Sequence, residues 1–466
     1  MKPAEQTSPT RQIDHSVISG IRWPAMPGKI GATLLAIQYQ LDQSQWWSPA
    51  ALQLHQLQQI QLLLIHASKT VPFYQEQYSA MGFDPHIPLT AAVFEQLPLL
   101  TRSDIQTAGS SLLSSQIPSA HGKSYETQTS GSTGQPVKIH GTDLTALFWH
   151  AFTLRDHHWH KRQLRGKLAV IRAMQEGVAE PPEGHIMPGW GPSTDSLYQT
   201  GPLALLRLGS DVSVQASWLQ QQNPAYLLTY PSNLMALISY FKATGAKLDN
   251  LMEVRTVGET LSPDIRAVCL EVFGVPIVDL YSSQEIGYIA LQCPHSTHYH
   301  IQSENALVEI LNAQNQPCSA GEIGRLVVTS LHNFATPLIR YELGDYAEAA
   351  PPCPCGRGLP VIRKIMGRHR NMLILPSGDM RWPLVGFRGY AQIAPIRQYQ
   401  FIQHTLEHIE VRLVTDRSLI AEEETRLSKL IQESLGHPFQ LTFTYLPEIP
   451  RQKNGKFEEF VSAVKT

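Results

Sequence analysis

Between residues 167 and 283, short β-rich runs alternate with stretches of helical character. They read KLAVIRA at 167–173, AYLLTYP at 225–231, EVRTVGE at 253–259 and VPIVDLYSS at 275–283. This alternation predicts an α/β core with largely parallel strands, because parallel neighbours need a crossover that is usually a helix. From 299 to 349 the pattern changes to β-hairpins: ALVEIL, turn residues around NAQNQPCSAGE, then GRLVVTSL. After Arg368 it changes again, to a small α+β module with strands QYQFIQ and HIEVRLV, the charged helix AEEETRLSKLIQESL and a further strand in LTFTYL. Near the start, PAALQLHQLQQIQLLLIHAS opens at Pro49 a helix expected to run to about Ser79, with VPFY at 71–74 closing it. The expected organisation is a polar leader over 1–20, a large domain over 21–367 and a separate small domain over 368–466.

Composition narrows the function classes. With 42% hydrophobic residues among 466 there is ample material for a core, and 37 basic against 39 acidic residues leave a net charge of −2. That balance argues against a nucleic-acid binder and against disorder. No run approaches the length of a membrane-spanning helix, and MKPAEQTSPTRQIDH lacks the apolar stretch of a secretory signal. A cytoplasmic protein with no nucleic-acid or membrane partner is expected. Five cysteines make no disulfide framework. Cys269 lies in a helical run and Cys318 in a polar turn.

The strongest local signal is Thr129-Ser130-Gly131-Ser132-Thr133-Gly134-Gln135-Pro136. Glycines and small hydroxyl residues let the backbone approach phosphate oxygens and offer them N–H and O–H donors. Composition alone admits a flexible linker equally well. It is not a Walker A loop, since Pro136 stands where a glycine should and no Lys-Ser/Thr pair follows. Nor is it a G-x-S-x-G elbow, so an α/β-hydrolase is disfavoured.

TSGSTGQP resembles the phosphate loop of the adenylate-forming superfamily of acyl-CoA synthetases, peptide-synthetase adenylation domains and luciferases. Further motifs follow in the family's order: Gly258-Glu259-Thr260, then Tyr281-Ser282-Ser283-Gln284-Glu285, Tyr341-Glu342-Leu343-Gly344-Asp345, Gly367-Arg368, and Pro450-Arg451 through Gly455-Lys456. VPFY, LPLLTRSDI at 97–105, YPSNL at 230–234 and CPCGR at 353–357 look like the phenylacetate–CoA ligase branch and its capsule-biosynthesis-like relatives. The resemblance implies a large AMP-binding domain with mixed or parallel sheets and a β-barrel-like part, followed by a small mobile α+β domain carrying Lys456. It also implies an ATP- and Mg²⁺-dependent ligase that joins a small or aryl carboxylic acid to the α-phosphate and passes the acyl group to coenzyme A. An amine or carrier-protein acceptor and a non-catalytic nucleotide-binding homologue stay open, and a homodimer is compatible with either.

By the same resemblance, Thr129 through Gly134 would hold the phosphates, and Gly258, Glu259, Thr260 and Ser282 would line the nucleotide. Tyr281 would stack on adenine, Asp345 would accept from the ribose hydroxyls and Arg368 would add a cationic fork. Glu285 would bind Mg²⁺, a hard cation suited to carboxylate oxygen. Lys456 would reach the carboxylate and α-phosphate, where negative charge accumulates. Taken singly, Tyr281 could be core, Glu285 and Asp345 solvated loop acids and Lys456 an ordinary surface lysine. Trp149, His150, Met174, Tyr230 and Ser232 fall in segments that line the acid pocket in relatives, although Trp149 and Tyr230 also fit a core. Ser282 and Gln284 depart from the family pattern. So does Gly367-Arg368-His369-Arg370-Asn371, which puts the hinge at Arg370. ILPSGDMRWP replaces the family's glycine-rich loop of the second half-reaction, leaving thioester formation less firmly implied than adenylation.

Cys293-Pro-His295-Ser-Thr-His298-Tyr-His300 and Cys353-Pro-Cys355-Gly carry thiolates and imidazoles, which suit Zn²⁺. Relatives of this branch show a matching pattern at Cys293, His300, Cys353 and Cys355, implying a structural site, with free thiols as the alternative. His295 and His298 are expected to be solvated loop histidines.

Overall fold

The runs at 168–172, 226–229 and 253–257 are strands, and they pair in parallel with Tyr226 opposite Glu253 and Thr229 opposite Thr256. The structure, a computed structural model, describes residues 13–128, 137–383, 387–452 and 455–464. It falls into two compact units, each assembled from separate stretches of chain: Met1–Lys167, Met187–Leu203 and Leu280–Ile365 in one, and Leu168–Ile186, Ala204–Asp279 and Met366–Thr466 in the other.

In the second unit the strand order is Glu253–Val257, Tyr226–Thr229, Leu168–Arg172, Leu203–Arg207. Helices Pro231–Thr244 and Pro263–Phe273 supply the crossovers, each opening on a proline whose missing N–H costs nothing there. Leu227, Val254, Leu237 and Phe241 bury their side chains between sheet and helices. The segments 230–232 and 258–260 therefore leave the carboxyl ends of adjacent parallel strands, the edge at which open α/β sheets bind ligands.

The same unit holds a four-stranded sheet in the order Gln440–Tyr445, His408–Thr415, Ile396–Gln403, Phe460–Ser462. Its inner pair is antiparallel and both outer pairs are parallel. Helix Ala421–Leu435 buries Leu427, Ile431 and Leu435, spaced four residues apart on one face, in a core with Phe401, Val411 and Phe460. These elements match the strands and helix read from the sequence after Arg368.

In the first unit the strand order is Ala306–Leu311, Ile323–Ser330, Tyr341–Ala349, the Val361–Ile365 part of Val361–Arg368, Tyr299–Ile301, Gly287–Gln292 and the Leu280–Ser283 part of Ile277–Ser283. The expected hairpin is present, with Ala306 opposite Ser330 and Leu311 opposite Arg325. One helix boundary differs from expectation. Pro49–Thr70 ends before VPFY, but Pro72–Met81 begins there. Val71 is extended, as a residue before proline prefers to be, and Pro72 occupies a first helical position. Tyr74 and Tyr78 on this second helix are buried, and Tyr74 donates a 2.9 Å hydrogen bond to the Pro337 carbonyl. Among the described residues, no helix is long and apolar enough to cross a membrane.

Candidate functional site

The phosphate-loop residues Thr129, Ser130, Gly131, Ser132, Thr133 and Gly134 lie outside the described residues, as do residues 1–12 of the leader. The remaining site residues gather in three places.

In the second unit, Lys456 meets the segment that follows strand Glu253–Val257. A Cβ built on Gly258 would stand 3.2 Å from Lys456 Cε and 3.3 Å from Tyr230 Cε1, and Gly258 has φ of +81°. Both the conformation and the close approach require glycine. Beside it, the Glu259 carboxylate accepts from Ser232 N at 2.9 Å, Ser232 Oγ at 2.9 Å and Phe457 N at 2.6 Å. Arg451 Nη1 lies 3.5 Å from the same carboxylate and donates to Ser232 Oγ at 2.6 Å and to the Gly455 carbonyl at 3.1 Å. Burial pushes the Glu259 carboxyl up, against the opposing pull of Arg451 and these donors. Thr260 Oγ1 lies where a Cβ on Gly367 would meet it at 3.1 Å, so the Gly-Arg segment adjoins this cluster. Arg368 N donates to Asn371 Oδ1, and the Arg370 guanidinium donates to Glu458 Oε1 at 2.8 and 3.0 Å.

In the first unit, the Tyr281 hydroxyl donates to Asp345 Oδ2 at 2.6 Å, joining two separate motifs. Glu285 and Trp149 line a cavity of about 200 Å³ together with Thr127, Tyr288, Asn305 and His332. Trp149 sits on helix Asp143–Trp159, which starts at a Thr142 capping box. Its ring lies 4.8 Å from that of Tyr288, centroid to centroid. Sequence reading missed His332. It stacks on Phe148 at 3.8 Å and 1°, donates from Nε2 to the Glu304 carbonyl at 2.8 Å, and is lowered by burial to about 4, so the ring is neutral. The Glu304 carboxylate is in turn held by Arg155 and Ser44, both far away in sequence, and no local signal announces such a pair. His150 also lines the cavity and pairs with Ser193 Oγ at 2.9 Å. Of the five residues expected to share the acid pocket, Trp149 and His150 therefore belong to this cavity. Tyr230 and Ser232 belong to the Glu259 cluster of the other unit.

The third place is the Cys/His cluster, also in the first unit. The donor atoms of Cys293, His300, Cys353 and Cys355 all lie within 4.8 Å of one another. Cys293 and Cys353 sulfurs are 3.8 Å apart and His300 Nε2 is 3.3 Å from Cys355 Sγ. Zinc–sulfur bonds of about 2.3 Å at tetrahedral angles require sulfurs about 3.8 Å apart, so the donor set fits that ion. Burial holds His300 at about 4, hence neutral. Its Nδ1 faces the Leu359 carbonyl at 3.4 Å, leaving Nε2 for the cluster. Arg357 of the CPCGR segment lies 3.6 Å from Cys355 Sγ and packs over the Trp159 ring at 4.4 Å. The expectation for His298 is corrected. It is half-buried, with Nε2 2.9 Å from Cys353 Sγ, a hydrogen-bond separation shorter than two ligands of one zinc ion would show. The Cys293–His298 turn, closed by Cys293 N donating to the His298 carbonyl at 2.8 Å, brings it back. His295 is exposed, as expected.

Residues 389–463 match the family model of the CapK C-terminal domain. A phenylacetate–coenzyme A ligase of Thermus thermophilus is 22% identical over 88% of this chain and 96% of its own length. That of Escherichia coli is 24% identical over 72% and 75%. Among solved structures, 2-hydroxyisobutyryl-CoA ligase in its postadenylation state superposes with a TM-score of 0.70 at 17% identity, covering 87% of this chain and 88% of that one. An anthranilate CoA ligase in complex with anthranoyl-AMP gives 0.54 at 15% identity over 72% and 65%. With the motifs in order along an α/β fold of this kind, these likenesses support a place in the adenylate-forming superfamily, on its phenylacetate–CoA ligase-like branch.

Proposed function

We propose that the chain is an ATP-dependent, AMP-forming acid ligase that makes an acyl-adenylate and hands the acyl group to coenzyme A. The observation that carries this reading is the placement of Lys456 against Gly258 and Tyr230, at the carboxyl ends of parallel strands. An ammonium there can neutralise charge that grows between the attacking carboxylate and the α-phosphate. Relatives that match most of this chain are named as coenzyme A ligases, which supports the acceptor.

The remaining roles follow from the chemistry of each group. Thr129 through Gly134 bind the ATP phosphates through backbone and hydroxyl donors. Tyr281 presents a flat face to adenine while its hydroxyl orients Asp345 toward the ribose. Glu285, at the cavity rim, holds Mg²⁺, which supplies charge neutralisation on the phosphates. The acid enters the cavity lined by Trp149 and His332, whose volume suits a small or single-ring acid. Cys293, His300, Cys353 and Cys355 hold a structural Zn²⁺ that ties strand Tyr299–Ile301 to the 353–357 turn. Residues 368–466 form the small mobile domain, with Arg370 as its pivot, and the protein works in the cytoplasm.

The test is ATP–pyrophosphate exchange across a panel of small aliphatic and aryl acids, followed by thioester formation with coenzyme A. Lys456→Ala is expected to slow exchange by roughly 10²–10³-fold, the cost of losing one preorganised charge donor. Exchange at the parental rate in the folded variant overturns the role of Lys456. Adenylate formation without any thioester overturns coenzyme A and favours an amine acceptor.

A further inference from the structure

Glu259 belongs to a motif expected to face nucleotide, yet its carboxylate is turned into the protein. Its side chain is 5% exposed, and Ser232 N, Ser232 Oγ and Phe457 N donate to it, with Arg451 Nη1 beside them. Two of these partners lie on either side of Lys456 in the chain. Phe457 directly follows Lys456, and Arg451 begins the segment and also binds the Gly455 carbonyl. Gln452 N donates to the Lys456 carbonyl at 3.0 Å, and Gly455 N donates to the Gln452 carbonyl at 2.8 Å. Gly455, with φ of +77°, is packed so that a Cβ would stand 2.8 Å from Ala173 Cβ. The lysine thus sits on a backbone whose position is set by one buried acid.

We propose that Glu259 is a positioning residue, an anionic latch that holds Arg451 and the Phe457 amide on either side of Lys456 and so sets where the Lys456 ammonium stands during adenylation. The inference rests on the reading of Lys456 given above. The physics is that of a buried charge: a carboxylate taken out of water keeps its charge only where donors converge, so the turn has one arrangement that satisfies it. Ser232, in the first turn of helix Pro231–Thr244, fixes the carboxylate from one side, and Arg451 and the Phe457 amide complete the set. Glu259 acts through Lys456 and touches no substrate.

A double-mutant cycle tests the latch. Glu259→Gln, which keeps an acceptor and loses the charge, is expected to slow pyrophosphate exchange about 10-fold, and Glu259→Ala about 100-fold. In a Lys456→Ala background, either change should cost less than about twofold more, because the group being positioned is gone. Hydrogen exchange gives a readout free of activity: the Phe457 amide should be protected in the parent and lose protection in Glu259→Ala. Parental exchange rates in both folded Glu259 variants overturn the latch. So does a full additional loss in the Lys456→Ala background, or an unchanged Phe457 amide. If Lys456→Ala alone exchanges at the parental rate, the fault lies in the reading of the lysine, and the latch falls with it. If Glu259→Ala fails to fold, Glu259→Gln alone decides.

Discussion

Tyr281→Phe isolates one bond in the proposed adenosine site. The phenol donates to Asp345 Oδ2 at 2.6 Å, a charge-assisted hydrogen bond. Bonds of that type contribute about 1.5–3 kcal/mol when both partners are shielded. Asp345 is only half-buried, so water can replace the lost donor in part. About 1 kcal/mol is the expected remainder, which corresponds to roughly a fivefold change in an equilibrium constant. Because the bond orients a ground-state contact to ribose, KM for ATP should rise about fivefold while kcat for exchange holds. Tyr281→Ala removes the ring as well, and base–aromatic stacking adds about 1–3 kcal/mol, so its effect should exceed that of Phe by at least a further fivefold. ATP dependence of pyrophosphate exchange measures both, with thermal unfolding as the check on folding. A Tyr281→Phe variant with unchanged KM would refute the orienting bond. An unchanged KM in Tyr281→Ala would remove adenosine from this site.

Protein purified without a metal-binding tag should contain about one zinc per chain, and Cys353→Ser or Cys355→Ser should release it and lower the melting temperature. Elemental analysis finding no zinc refutes the site. Glu459, beside Tyr399, is raised by burial to about 7. The folded protein therefore keeps a proton that the unfolded chain releases near pH 4, so this group's contribution is complete below about pH 4 and is lost as pH rises toward 7 and beyond. Glu459→Gln should stabilise the protein by the order of 2 kcal/mol at pH 8 and leave it unchanged near pH 4, read by denaturant unfolding at the two pH values. Equal effects at both would place the proton elsewhere.

Much of this protein was legible without coordinates because it is written in local pattern. Alternating residues at 398–403 and 408–414 and the four-residue spacing of Leu427, Ile431 and Leu435 announce strands and a helix by geometry alone. The four residues of the candidate metal site were legible for another reason: thiols and imidazoles suggest a metal, and the resemblance to relatives picks Cys293, His300, Cys353 and Cys355 from among them. What needed the tertiary structure is every property that depends on which distant segment comes alongside. Glu259 reads as a motif acid lining the nucleotide until strand register sets it beside Ser232 and the Phe457 amide closes over it. His332 becomes a neutral cavity wall because distant segments bury its ring, which stacks on Phe148 and donates to the Glu304 carbonyl. His298 looked solvated because sequence counts residues along a loop, whereas the turn from Cys293 brings its ring back onto Cys353. Propensity and periodicity act over one or two turns of chain, and burial and partner choice are decided by contacts across hundreds of residues.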